Sequence, residues 1–151
     1  MGKRDILHLL EIDHRVIEEY LNTAVNGKTR VLQEQALVDL HEEIEAHSAA
    51  EEAVVYPKLE ERSKLRRMLI TARKEHREQQ ELLEELEMRQ PGDEGWDQIL
   101  DELRIAIEHH FGDEECRLYP CARQLLGGKE LFAMGRKYTL EKLGDIHSTL
   151  D

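Results

Sequence analysis

Proline, cysteine, aromatic residues and long apolar runs are all scarce in this 151-residue chain. Only Pro57, Pro91 and Pro120 interrupt it, so long stretches are free of helix breakers. Two Phe, one Trp and four Tyr, beside 36% charged residues, fit long amphipathic helices better than a sandwich, a barrel or a disordered chain. No basic run stands out, and 21 Lys and Arg against 33 Asp and Glu give a net charge of −12, which makes nucleic acid and anionic membranes poor partners. No stretch approaches the roughly 20 apolar residues that span a bilayer. The amino terminus, Met1 to Leu7, has no apolar signal segment, and Ile6 occupies the position where a myristoylation motif needs Ser or Thr, so a cytoplasmic protein is expected. Cys116 and Cys121, five apart on one expected helix, point in different directions and read as reduced thiols, either small buried hydrophobes or inert, with no redox role.

What remains is one domain over 1–151, long enough to bury roughly 70% of its unfolded surface. Four apolar stripes with helical spacing run along it. The first, from Lys3 to about Ala24, carries Leu7, Leu10, Ile17, Leu21 and Ala24, with His14 filling the one gap of seven. The second runs Leu37, Leu40, Ile44, His47, Ala50, Glu51 and Val54 up to Pro57, and the third Leu65, Leu69, Ala72, His76, Leu83 and Leu86. Trp96, Ile99, Leu103 and Ile107 open the fourth, which continues through His110 and Glu114. Turns are expected at Asn26 to Thr29, Glu61 to Lys64 and Pro91 to Gly95. The spacing predicts an all-α, antiparallel up-down four-helix bundle over about 3–126 and a short extra helix over about 130–140.

The chain repeats itself. Leu40 to Pro57 aligns with Leu103 to Pro120 at an offset of 63, with eight identities in eighteen positions, and both copies contain His-x-x-x-Glu-Glu-x-x-x-Tyr-Pro. At an offset of 62, Asp13-His14-Arg15 aligns with Glu75-His76-Arg77. Two copies of a helical hairpin are expected.

A His and a Glu four apart on a helix can aim at one point, as His47 with Glu51 and His110 with Glu114 do here. Such pairs are common surface decoration, and His41 with Glu45 reads that way. Phase distinguishes the others: His14, His47, Glu51, His76, His110 and Glu114 all fall on core stripes, where an unpaired carboxylate costs several kcal/mol. Midpoints between consecutive histidines, at 30.5, 61.5 and 93, fall at or beside the three expected turns, so the four imidazoles share one layer. Four imidazoles and two carboxylates suit two metal ions, with nitrogen and oxygen donors favouring iron over magnesium or calcium. The simplest division gives one ion His14 and His47 and the other His76 and His110, with both glutamates and a solvent-derived oxo or hydroxo group bridging and one position open on each.

These residues resemble the hemerythrin or HHE cation-binding family over about residues 5–126. The resemblance implies an antiparallel four-helix bundle with a non-heme di-iron centre, bridged as Fe-O-Fe or by hydroxide, and places its ligands on the same six positions. Oxygen-carrying members have a fifth histidine where this chain has Ala72, which counts against reversible oxygen carriage. The set that remains is similar to members linked to nitric oxide stress and iron-centre repair, or to peroxide removal. Binding of O2, NO or peroxide is the implied activity, with peroxide disproportionation or NO reduction if it is an enzyme; an iron- or oxygen-responsive sensor or iron-handling module is the alternative.

Other readings of the same residues are plainer. Glu18, four after His14, is a candidate additional ligand or a solvated partner of Arg15 or Arg77. His8, His41, His109 and His147 read as solvated, with His109 placed to touch the neighbours of His110. Tyr56 and Tyr119 are expected to pack near helix ends. The whole set could also be hydrogen-bonded core histidines in a plain bundle, or hold zinc or manganese.

Overall fold

The computed structural model describes residues 5–150, with side chains through residue 144. Among these the chain is entirely helices and turns, with no strand. Helix α1, Ile6–Asn26, starts where the Asp5 carboxylate accepts a hydrogen bond from the His8 amide at 3.0 Å. It buries the stripe expected of it, from Leu7 to Ala24, with His14 inside it. A turn through Gly27 leads to α2, Arg30–Ala50, capped by Thr29, whose hydroxyl accepts from the Leu32 amide at 3.2 Å. The same rod continues through a π-helical segment, Glu51–Val55, into α3, Tyr56–Glu60. A single 3-10 turn, Ser63–Leu65, precedes α4, Arg66–Glu87.

Gly92 and Gly95 turn the chain towards α5, Trp96–Asp113, with φ of +94° and +83°, values that strain any residue bearing a Cβ. A second π-helical segment, Glu114–Leu118, and α6, Tyr119–Leu125, complete that rod. The two π segments occupy equivalent places in the sequence repeat. The final helix, α7, runs Gly128–Leu150, twice the length expected from 130–140. The apolar pattern thins after Tyr138, leaving Leu140 and Leu143 exposed, but Lys142 anchors the next turn by ion pairs to Asp13, at 2.7 Å, and to Glu43.

Helix α1 packs on α2, α4 packs on α5, and α7 lies across α1 and α2. Apolar side chains form two clusters. One holds Leu10, Leu59, Leu69, Leu118 and α7's Leu131 and Met134; the other holds Ile17, Leu40, Leu83, Trp96 and Leu103. Each fully buried Leu or Ile contributes roughly 1.5–3 kcal/mol. Helix α1 supplies Leu10 to the first cluster and Ile17 to the second, and His14 lies between them. No described helix is long and apolar enough to cross a membrane.

Candidate metal centre

His14 comes from α1, His47 from α2, His76 from α4 and His110 from α5, and none is more than 7% exposed. Glu51 and Glu114, each the first residue of a π segment, are buried among them. The six fall into two groups, His14 with His47 and Glu114, and His76 with His110 and Glu51, whose ligand atoms lie within 4.8 Å of one another. Each glutamate reaches across both groups. Glu51 Oε1 lies 3.1 Å from His47 Nε2 and 3.3 Å from His76 Nε2. Glu114 Oε1 lies 3.2 Å from His14 Nε2 and 3.3 Å from His110 Nε2.

The opposite nitrogen of every ring is tied down. His14 Nδ1 donates to Glu115 at 2.7 Å, His47 to Asp13 at 3.0 Å, His76 to Glu52 at 2.8 Å and His110 to Glu75 at 2.8 Å. An ionised carboxylate only accepts, so Nδ1 carries a proton, and Nε2 is the atom each ring turns towards the centre. The pattern follows the repeat: the acid before each odd histidine, Asp13 or Glu75, holds the histidine of the next rod, and the acid after each buried glutamate, Glu52 or Glu115, holds a histidine of the opposite hairpin.

So many carboxylates call for positive charge. Burial lowers the affinity of His47 and His76 for a proton, yet Glu51 with Asp13 and Glu51 with Glu52 overcome it, raising them to about 10 and about 9. Burial likewise opposes ionisation of Asp13, but His47 and Lys142 bring it down to about 2. Despite that charge, buried Glu51 Oε2 has no hydrogen-bond partner, and buried His47 Nε2 faces Glu51 Oε1 at 3.1 Å without a well-aligned hydrogen bond. An orphaned carboxylate oxygen, in a buried ring of four imidazoles and two carboxylates, fits a bound cation better than a plain polar core.

The π segments bring in two more groups. Five residues at about 100° each would turn Tyr56 some 140° away from Glu51 on a regular helix. The wider π turn, closed by the Tyr56 amide on the Glu51 carbonyl, returns both to the interior, and Pro57, which lacks an amide hydrogen, follows it. Tyr56 donates from its hydroxyl to Glu114 Oε2 at 2.7 Å, and Tyr119 to Glu114 Oε1 at 3.2 Å. Each tyrosine is the first residue of its helix and packs there in the core, as expected, and each also holds a candidate ligand. Burial first, then the nearby glutamates, push both phenols well above their ordinary range, which keeps them protonated donors. From α7, Tyr138 donates to Asp13 and lies 2.8 Å from His47 Nδ1.

Other expectations meet mixed outcomes. Glu18 is not in either group; it is half-exposed and pairs with Arg15 at 3.1 Å, because its side chain leaves α1 on the flank of the buried stripe. His8 is exposed, whereas His41 is half-buried between Glu45 and Glu87. His109 is exposed and meets Glu75, the partner of His110, at 3.3 Å. The side chain of His147 lies outside the described residues. Both cysteines are free, but Cys116 is exposed rather than buried, since two residues after buried Glu114 a helix turns it to the opposite face. Sequence reasoning missed Asp13, Glu52, Glu75, Glu115 and Tyr138. All but Tyr138 sit in the repeat, which was the available signal.

No curated protein matches the sequence significantly. Among solved structures, a hemerythrin HHE cation binding domain-containing protein from Mycobacterium kansasii shares the fold with a TM-score of 0.82, at 22% identity, over 97% of this chain and 90% of that one. The model of the hemerythrin HHE cation binding domain matches residues 5–122, and the chain belongs to that family of cation-binding helical domains.

Proposed function

We propose that the four long rods form an antiparallel up-down four-helix bundle that holds two non-heme irons and binds O2, NO or peroxide, in defence against oxidative or nitrosative stress in the cytoplasm. The observation that carries this reading is the convergence of four Nε2 atoms on two shared, buried carboxylates, with each Nδ1 tied to a carboxylate of its own. His14 and His47 would hold one iron, His76 and His110 the other, with Glu51 and Glu114 common to both. The irons would supply electron exchange with the small ligand; the chain supplies a dry, fixed setting. Tyr56 and Tyr119 orient Glu114 and hold their protons beside it.

The test is metal content and optical spectrum of protein purified in air, for the parent and for His47→Ala and Glu114→Ala. About two irons per chain, with charge-transfer absorption that both variants lose, is the expected result. No iron after anaerobic reconstitution overturns it. A sensor role is favoured by one observation: Tyr138 and Lys142 connect α7 through Asp13 to His47. In that case iron loading alters hydrogen-exchange protection of α7, and peroxide or NO is not turned over.

A further inference from the structure

The two hairpins present equivalent grooves beside the centre, and only one is filled. In the first, between α1 and the α2 rod, Leu10 fills the floor and α7 lies along the top, with Tyr138 sealing Asp13. A recess of about 230 Å³ remains under α7, and none of the six candidate ligands lines it. The repeat puts Ala72 where Leu10 stands, Thr71 where Leu9 stands and Arg117 where Val54 stands. Among the described residues no helix covers this second groove, and it holds a cavity of about 300 Å³ whose wall includes Ala72, Leu118 and Glu114 itself.

Three basic and three acidic side chains line it, and they differ in what they are paired with. The acids that line it are engaged: Glu75 with His109 and His110, Asp113 with His109, Glu114 with the buried histidines and tyrosines. Lys64 and Arg67 also line it, and among the described residues neither is in an ion pair. Two uncommitted cations at the lip of a cavity, in a chain of net charge −12, concentrate small anions there.

We propose that exogenous ligands reach the centre through the Ala72 groove, on the side of His76 and His110 and not that of His14 and His47, and that Lys64 and Arg67 favour small inorganic anions. This rests on the two-metal reading above. The access route is built from a deletion of bulk, Leu10 to Ala72, and from the absence of an α7 counterpart, both confined to the second hairpin.

The probe is sodium azide, titrated optically against iron-loaded protein, with iron per chain measured on each sample. Ala72→Leu copies the filled groove, and Ala72→Val fills it in part, so at least one should fold and load normally. The expected result is azide affinity lowered more than about tenfold by Leu and less by Val at unchanged iron content. Lys64→Glu with Arg67→Glu lowers it about three- to tenfold at low salt, and leaves the binding of neutral NO unchanged. Azide affinity unchanged in an Ala72 variant that holds its iron overturns the route; charge reversal without effect, or with equal effect on NO, overturns the anion preference. A parent chain that holds no iron fails the two-metal reading itself, before any azide is added.

Discussion

The two hairpins agree at the centre and diverge around it. Both place a histidine on each rod, a glutamate at the head of a π segment, and a carboxylate on each Nδ1. Beyond that ring the first hairpin is closed: Asp13 is held by Tyr138 and Lys142, and Phe111 stacks on the His14 ring with centroids 3.7 Å apart. In the second hairpin Glu75 stands in the place of Asp13 and meets exposed His109, and the residue that the repeat aligns with Phe111 is the small Ser48 of α2. Coordination demands the same donors at the same depth on both sides, whereas closure is needed once. The repeat therefore preserves what a shared pair of cations requires and leaves the covering free to change.

The most severe test of the agreement removes a shared glutamate. Because Glu51 and Glu114 each touch a histidine of both groups, Glu51→Ala or Glu114→Ala should leave less than about one metal per chain, whereas His47→Ala or His110→Ala should leave about one. Metal analysis after reconstitution decides it. A glutamate variant that keeps one ion at full occupancy would mean that the carboxylates are not shared.

The divergence is tested one step further out. Asp13→Asn and Glu75→Gln each weaken the grip on one imidazole, and each should lower metal affinity about 10- to 100-fold. Their effects on the metal-free chain should differ. Asp13→Asn also takes one of its two charge partners from Lys142, which is mostly buried, and should cost about 1–3 kcal/mol. Glu75 faces the open groove and exposed His109, so Glu75→Gln should cost less than about 1 kcal/mol. Urea unfolding of the two metal-free variants measures the difference; equal losses would show that α7 closes nothing.

The six candidate ligands were legible because burial and helical phase constrain them together: a charged group on an apolar stripe needs a reason. Depth added a second condition, since short turns fix which residues lie level. Asp13, Glu52, Glu75 and Glu115 lie beside those stripes, where acids are ordinary, and only the repeat marks them. Tyr56 and Tyr119 lie near helix ends as expected, but their reach to Glu114 depends on the wider turn of the π segments, which a regular helical period does not foretell. Helix α7 has no counterpart in the repeat, and its contacts to Asp13 are made 125 and 129 residues away in sequence, beyond the reach of any periodicity.

The smallest expected effect concerns the layer next to the histidines. Ile17, Ile44 and Ile107 each lie three residues from His14, His47 and His110, buried in the second apolar cluster. The fourth member, three residues after His76, is Gln79, 2% exposed, with its amide nitrogen unpartnered. A buried, orphaned amide nitrogen costs more than it returns in the metal-free chain. Gln79→Leu, which restores likeness to Ile17, should therefore stabilise that chain by about 1 kcal/mol and raise Tm by about 2–4 °C. A lower Tm would mean that the amide has a buried partner, and that the second hairpin departs from the first in its core as well as in its cover. Metal content should be unchanged in either case, since Gln79 touches no ligand nitrogen through its own hydrogen bonds.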